Sequence, residues 1–290
     1  MALNIETTND DKFPKTVKAI IFGRPGAGKT AMIRQYPNPF MLAAETRLMS
    51  IAGAGIPFAR CNDDATFAEI LRTVKLPAAE REEAFGFPVD TLVIDTLDEL
   101  QGSIMAEKFS GGADPGYKGW EWIREYMHKR IKTLCDLPDL NVIINCHIKT
   151  TTTQDDEGDE VVSHQPAIVG SFRDALPGLV DLAFMIEPNT KTVAGETGME
   201  QVTEKEFICQ PTAKYPFLKD GSPGTLPARI PMNFKDDFKR IFDLVYEAKA
   251  AVEEQKAEKR SETNSAVAQY ATVSNDTNSD NNVTNNDGDK

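Results

Sequence analysis

One segment constrains the fold of this chain more than any other: Gly23-Arg24-Pro25-Gly26-Ala27-Gly28-Lys29-Thr30. An apolar, β-branched run, residues 17–22, precedes it, and a stretch with helical character, residues 30–35, follows it. Glycines let backbone N–H groups turn inward around phosphate oxygens, and a lysine at this offset reaches the terminal phosphates. The sequence therefore predicts a strand, a phosphate-binding loop and a helix that together hold a nucleoside triphosphate.

The loop and the start of the following helix supply the predicted nucleotide contacts. Lys29 is expected to reach the β and γ oxygens, and the hydroxyl of Thr30 is expected to bind Mg²⁺. The full set of expected contacts is Gly23, Arg24, Pro25, Gly26, Ala27, Gly28, Lys29, Thr30 and Ala31.

A second apolar run, residues 91–94, ends in Asp95. A magnesium-bound triphosphate needs a carboxylate near the metal, placed at the end of a buried strand. Asp95 is therefore the predicted metal-binding acid, together with Thr30. The alternative is that Asp95 caps the helix that follows, a role that Thr96 also fits.

Short apolar runs alternate with helical stretches along the chain, which is the pattern of an α/β sheet flanked by helices. About five core strands are expected, and the runs that predict them are residues 17–22, 40–44, 91–94, 141–146 and 179–186. Helices are predicted over residues 30–35, 65–74, 97–108, 120–137 and 234–259.

Two segments late in the chain have a different character. Between residues 149 and 170, two strand-prone arms flank an acidic turn with a glycine, which predicts a protruding hairpin. Residues 188–231 are rich in Pro, Gly and Thr, and only residues 206–209 are predicted to form a strand there.

The charge balance limits the partners of the chain. Its 290 residues include 32 basic and 45 acidic ones, for a net charge of −13. Such a chain has no overall attraction to nucleic acid or to anionic membranes, so any contact with nucleic acid must be local. No apolar run approaches the ~18 residues that a membrane span requires. Scattered cysteines without a secretory leader favour a cytoplasmic location.

Two more polar residues follow predicted core strands: Glu45 after residues 40–44, and His147 after residues 141–146. This order resembles the RecA-like ATPases, in which a glutamate that activates water follows the first of these strands. A polar residue that senses the γ-phosphate ends the second. The resemblance gives catalytic roles to Lys29, Glu45, Asp95 and His147, with a neutral imidazole donating to a phosphate oxygen.

Alternatives for these two residues stay open. Glu45 also fits a first-turn charge of a helix over residues 46–52, and His147 also fits a polar cap at a strand end. If Glu45 is not the base, Asp98 or Glu99 is the next choice.

The resemblance narrows to the RecA-like P-loop NTPases of phages, an AAA-type ATP-binding family that includes the Sak-type single-strand annealing recombinases. It rests on the phosphate loop, Glu45, the two strands ending at Asp95 and His147, and Leu179-Val180-Asp181. It implies ATP and Mg²⁺ as cofactors and a RecA-like ATPase domain over residues 16–248. A flexible lead-in (1–15) and a helix end with a disordered acidic tail (249–290) complete the predicted plan.

The resemblance also implies a surface for single-stranded DNA. In RecA-like recombinases two loops hold the strand, and here they correspond to residues 109–120 and 149–170. The tip of the second loop carries five acidic residues, which would repel phosphate and argue against DNA contact at the tip. Stacking or phosphate contacts are expected from Tyr117, Lys118, Trp120, Lys149 and Arg173. The alternative for Trp120 is the start of the core face of a helix.

RecA-like subunits complete a neighbouring active site with a basic residue from a late strand. Lys214, Lys219 and Arg229 are the candidates, and a solvated surface charge is the alternative for each. The implied assembly is a homo-oligomeric ring or filament, with a single-strand-binding protein as a further partner.

These features predict a magnesium-dependent ATPase that acts on single-stranded DNA in phage recombination, annealing or replication. The alternative is an ATP-controlled switch that loads or regulates a protein partner, such as a replicative helicase. A small-molecule kinase is least favoured, because no basic lid segment is found. No Asn-Lys-x-Asp sequence is present, which favours ATP over GTP.

Overall fold

The computed structural model describes residues 16–109, 114–154, 159–195, 198–222, 226–241 and 243–245. The predicted lead-in (1–15), the tip of the predicted hairpin (155–158) and the predicted tail (249–290) lie outside the described residues. Within the described ranges the chain forms one large sheet with helices on its faces and a separate two-stranded sheet. The predicted α/β class is confirmed.

In the first half of the chain the predicted strands and helices occur in the expected order, but the strand Phe58–Arg60 and the helix Ala78–Phe85 were not predicted. The strands are β1 (Lys18–Gly23), β2 (Pro39–Ala43), β3 (Phe58–Arg60), β4 (Thr91–Asp95), β5 (Asn141–Cys146), β6 (Ile148–Gln154), β7 (Glu160–Pro166), β8 (Leu182–Gly195), β9 (Gly198–Ile208), β10 (Lys219–Asp220) and β11 (Arg229–Pro231). The α-helices are α1 (Asp64–Val74), α2 (Ala78–Phe85), α3 (Leu97–Lys108), α4 (Gly116–Cys135) and α5 (Phe172–Ala175). Short 3-10 helices span Thr30–Gln35, Met49–Ile51 and Leu176–Leu179.

The large sheet has the strand order β11-β9-β8-β1-β5-β4-β2-β3, with β10 paired to β8. The six strands from β8 to β3 in that order pair in parallel, whereas β9, β10 and β11 pair antiparallel. Strand β5 lies between β1 and β4, with Phe22 beside Cys146 and Asn145 beside Asp95. The carboxyl ends of these three strands therefore meet at one edge, where α/β sheets bind ligands.

Each central strand is buried on both faces, which explains why these runs are continuously apolar. In β1, Ile20 and Phe22 belong to one buried cluster, and Ala19 and Ile21 belong to the other. The first cluster includes residues of α1, α3 and α4. The second includes residues of the helix Thr30–Gln35 and, near the end of the described chain, Phe238, Ile241, Leu244 and Val245.

Several predicted elements differ from those observed. The helix predicted over residues 30–35 has these bounds but is a 3-10 helix, and it ends where Tyr36 is extended ahead of Pro37. The predicted helix over 46–52 is wrong, and only the turn Met49–Ile51 is found there. The strand predicted at 179–186 begins at Leu182, after a short 3-10 helix.

The prediction of one short strand within residues 188–231 is wrong. Strands β8 and β9 instead run together as a long antiparallel ribbon that continues past the sheet. The ribbon is rich in β-branched residues, with Thr190 opposite Thr203 and Lys191 opposite Val202. Threonines such as Thr190 and Thr203 therefore lie in strands of this segment and not in turns.

The predicted hairpin is confirmed in its arms, which are β6 and β7. They pair antiparallel from Ile148 opposite Pro166 to Gln154 opposite Glu160, and the hairpin follows directly from His147 at the end of β5. Among the described residues, no helix combines the length and the apolar character that crossing a membrane requires.

Candidate functional site

The phosphate loop connects β1 to the 3-10 helix Thr30–Gln35. Gly26 and Gly28 have φ angles of +78° and +114°, which L residues with side chains rarely adopt. Lys29 is 5% exposed, and its ammonium donates to the carbonyl oxygens of Gly23 at 2.9 Å and Arg24 at 3.4 Å. Burial lowers the pKa of Lys29, although the carboxylates of Asp95 and Glu45 oppose this shift.

Asp95 is fully buried and faces the phosphate loop. The Thr30 hydroxyl donates to Asp95 Oδ2 at 2.8 Å, and the Asn145 amide donates to Asp95 Oδ1 at 2.9 Å. The N-cap position of α3 belongs to Thr96, so the helix-capping alternative for Asp95 is excluded. A hydroxyl and a carboxylate in direct contact at a phosphate loop fit Mg²⁺, which takes one or two protein oxygens and completes its shell with phosphate and water.

Asn145 was not singled out from the sequence, although it interrupts the apolar run of β5. Its side chain is fully buried, and Oδ1 has no hydrogen-bond partner within the described structure. Because β5 lies between β1 and β4, the Asn145 amide is placed where it donates to the Asp95 carboxylate and holds it in position. A polar residue within a buried strand was the available signal.

Glu45 and His147 come together at the same edge of the sheet. Glu45 Oε1 lies 3.4 Å from His147 Nε2, and the Glu45 backbone N–H donates to the Asp95 carbonyl at 3.2 Å. The absence of a helix over 46–52 removes the helix-charge alternative for Glu45. Burial and the nearby Asp95 carboxylate raise the pKa of Glu45, although His147 opposes this shift.

Asp98, in the first turn of α3, holds the other side of the His147 ring. Its Oδ2 lies 2.8 Å from His147 Nδ1, and its Oδ1 accepts the His147 backbone N–H at 2.9 Å. The hydrogen bond to Asp98 raises the pKa of His147. Burial alone would raise the pKa of Asp98, but its hydrogen bonds with His147 outweigh burial and lower it.

Residues far along the chain cover the outer side of the phosphate loop. Lys205 donates to the Gly26 carbonyl at 2.8 Å, and its ammonium lies 5.3 Å from the centre of the Phe234 ring. A Cβ atom built on Gly28 would lie 2.5 Å from that ring, so Gly28 is required by close approach as well as by φ. No local motif marks Lys205 or Phe234, and sequence reasoning missed both.

A cavity of about 320 Å³ adjoins this outer side of the loop. Its lining joins the phosphate loop to β7, β8 and β9. The lining residues are Arg24, Pro25, Gly26, Ala27, His164, Met185, Ile186, Glu187, Pro188, Lys205 and Tyr215.

The predicted DNA contacts lie on two segments that meet. Tyr117 is 83% exposed in the first turn of α4, and Lys118 beside it is also exposed. Trp120 packs partly against the core, and a Cβ atom built on Gly170 would lie 3.6 Å from its ring. The structure therefore joins the two predicted loops through Trp120.

The two other predicted DNA contacts lie on the hairpin and beyond it. Lys149 is exposed on β6, and Arg173 forms an ion pair with Asp174 at 3.0 Å. The acidic tip between the arms is outside the described residues.

Each basic residue considered for a neighbouring site has a partner within its own chain. Lys214 pairs with Glu187, and Arg229 pairs with Glu206 at 3.2 Å. The Lys219 ammonium donates to two backbone carbonyls, the nearer at 2.6 Å, which ties it to the turn before β8. Lys214 and Arg229 have side chains that are about half exposed, at 49% and 53%.

Comparison with known proteins identifies the family. A family model described as an AAA domain matches residues 15–216, which is more than half of the chain. The chain belongs to this AAA domain family. Together with the phosphate loop, the match makes this AAA domain a P-loop NTPase with a nucleotide-hydrolysing site.

Other comparisons are distant. No curated protein matches the sequence. One similar solved structure is the flagellar accessory protein FlaH from Methanocaldococcus jannaschii, with 11% identity, a TM-score of 0.40, and coverage of 79% of this chain and 93% of FlaH. That level of similarity is too low to transfer the role of FlaH to this AAA domain.

Proposed function

We propose that this AAA domain is a magnesium-dependent ATPase, encoded by a phage, that acts on single-stranded DNA in recombination, annealing or replication. The observation that carries the ATPase assignment is the 2.8 Å contact between the Thr30 hydroxyl and the Asp95 carboxylate, with Lys29 beside it in the loop. Lys29 and Thr30 follow β1 and Asp95 ends β4, and these two strands are not neighbours in the sheet. Their meeting at the phosphate loop matches what a magnesium triphosphate requires.

Each residue of the site has a separate role in the proposed hydrolysis. Lys29 and the loop N–H groups bind the phosphates, and Thr30 and Asp95 would hold Mg²⁺, which neutralises charge on the transferring phosphoryl group. Glu45 is the proposed general base. Its pKa is raised, and its Oε1 lies 3.4 Å from His147 Nε2. Glu45 takes a proton from the attacking water as the new O–P bond forms and the bond between the γ-phosphorus and the oxygen of the departing ADP breaks.

Binding of single-stranded DNA is supported by one surface. Tyr117, Lys118 and Trp120 lie together at the start of α4, and Trp120 lies near Gly170 at the end of the segment 149–170. An exposed aromatic ring beside a cation binds unstacked bases without regard to sequence. The hairpin begins at His147, so a strand held there touches a segment that is joined directly to the hydrolysis site. Assembly into a ring or filament would bring Lys214 or Arg229 to the site of a neighbour.

A switch acting on a protein partner is the second candidate, and the ribbon of β8 and β9 favours it. Three apolar side chains on the ribbon stay exposed: Val193 at 40%, Met199 at 73% and Val202 at 40%. The net charge of −13 also suits a protein partner better than a long nucleic acid.

The test is ATP hydrolysis by the purified chain, with and without single-stranded DNA, at low and moderate salt. Lys29→Ala serves as the control for contaminating ATPases. Stimulation that weakens as salt rises supports action on DNA. Lysine-dependent hydrolysis that DNA does not change supports the partner-controlled switch, and hydrolysis equal in Lys29→Ala overturns the ATPase assignment.

A further inference from the structure

Asp98 directs both of its carboxylate oxygens at a single residue. Oδ1 accepts the backbone N–H of His147, and Oδ2 contacts its ring at Nδ1. The side chain is only 10% exposed, so these contacts are sheltered from water. Both oxygens of the Asp98 carboxylate are therefore directed at His147.

These contacts determine where the ring of His147 carries its proton. An ionised carboxylate only accepts hydrogen bonds, so Nδ1 is the donor to Asp98. A neutral ring then has a lone pair at Nε2, the atom that lies 3.4 Å from Glu45 Oε1. A neutral ring held in this way presents an acceptor and not a donor at Nε2.

We propose that Asp98 is a positioning residue that keeps His147 in its Nδ1–H tautomer with the Nε2 lone pair facing Glu45. This inference rests on the proposed function, because Glu45 is the base only in an ATPase. When Glu45 takes the proton of the attacking water, its new O–H group donates to Nε2. The tautomer thus stabilises Glu45 after proton transfer, whereas an Nε2–H ring would stabilise the carboxylate before transfer and slow the step.

The tautomer is measurable without any enzymatic assay. The full chain labelled with ¹⁵N-histidine contains three histidines, and the His147→Gln variant assigns the signals of His147. In the wild type, the neutral His147 ring is expected to show a protonated Nδ1 and an unprotonated Nε2. An Nε2–H ring in the wild-type protein overturns the proposal.

Asp98→Asn is the matching perturbation. Asparagine keeps the shape but offers one acceptor oxygen and an N–H donor, so it cannot accept from both the His147 N–H and Nδ1. The ring is expected to change to the Nε2–H tautomer. The kcat for ATP is expected to fall at least ~10-fold, the scale for a residue that orients a functional group, with KM changed less than about twofold.

Two comparisons separate positioning from general damage. In a His147→Gln background, Asp98→Asn is expected to add less than about a twofold loss, because it acts through the ring. Glu80→Gln removes an exposed charge from the first turn of α2 and is expected to leave kcat unchanged. If Asp98→Asn lowers kcat in the His147→Gln background by as much as it does in the wild type, the proposal is overturned. If the wild type hydrolyses no ATP, the proposed function fails, and the tautomer measurement still decides the role of Asp98.

Discussion

Replacing Glu45 by glutamine tests the proposed base most directly. Glu45 follows β2 with a side chain that is 27% exposed, and its backbone N–H donates to the Asp95 carbonyl at 3.2 Å. Glutamine keeps the size of the side chain and this backbone contact, but it cannot accept a proton from water at neutral pH. The substitution therefore removes the proposed chemistry while the local structure is kept.

The expected magnitude follows from that loss. Removing a general base costs about 10²- to 10⁴-fold in rate, which raises the barrier by about 2.7 to 5.4 kcal/mol. Lys29, Thr30 and the loop are unchanged, so the affinity for magnesium ATP is expected to stay within about threefold. Glu45→Gln thus separates hydrolysis from binding, since only kcat falls.

The assay is release of phosphate at saturating ATP and Mg²⁺, with nucleotide affinity measured by titration calorimetry on the same protein. Glu80→Gln is the matched control for the loss of one carboxylate, and Lys29→Ala gives the background rate. A Glu45→Gln protein with the wild-type kcat would refute the assignment of the base. Loss of ATP binding would instead show that Glu45 contributes to the nucleotide site itself.

Further predictions concern binding and stability. Lys29→Ala is expected to abolish triphosphate binding in the same titration, and affinity near the wild-type value would remove the phosphate-loop assignment. Gly221→Ala places a Cβ atom 2.4 Å from the Asp181 carbonyl and is expected to cost about 1–3 kcal/mol. In contrast, a Cβ atom on Gly102 in α3 meets no atom within 4 Å apart from the backbone of its own helix, and Gly102→Ala is expected to gain about 0.5–1 kcal/mol. Both changes are measured by urea unfolding. Burial lowers the pKa of Lys18 from 10.5 to about 8, so the unfolded chain binds more protons between these values. Relative to Lys18→Met, wild-type stability is therefore expected to rise by about 2 kcal/mol between pH 8 and 9.5, and an equal pH dependence of the two proteins would contradict this.

The sequence alone predicted the parts of the site that depend on local pattern. Glycines at fixed offsets between a strand and a helix are typical of a phosphate-binding loop. The loop with Lys29 and Thr30 was therefore predicted from spacing alone. Asp95 followed from its place at the end of a buried strand. The α/β class and the hairpin arms followed from alternation of apolar runs and helical stretches, because burial on both faces forces continuously apolar strands.

Only the tertiary structure revealed the groups that orient these residues. Asn145 lies beside Asp95 because β5 is placed between β1 and β4, an order that no local pattern encodes. Asp98 reaches His147 from a different element, and Lys205 reaches the loop from 179 residues away. Functional groups within one turn or at one strand end can be predicted from residue type and spacing. Contacts between distant segments depend instead on the order of the strands in the sheet. For that reason the sequence predicted the reacting groups, and the fold determined what holds them in place.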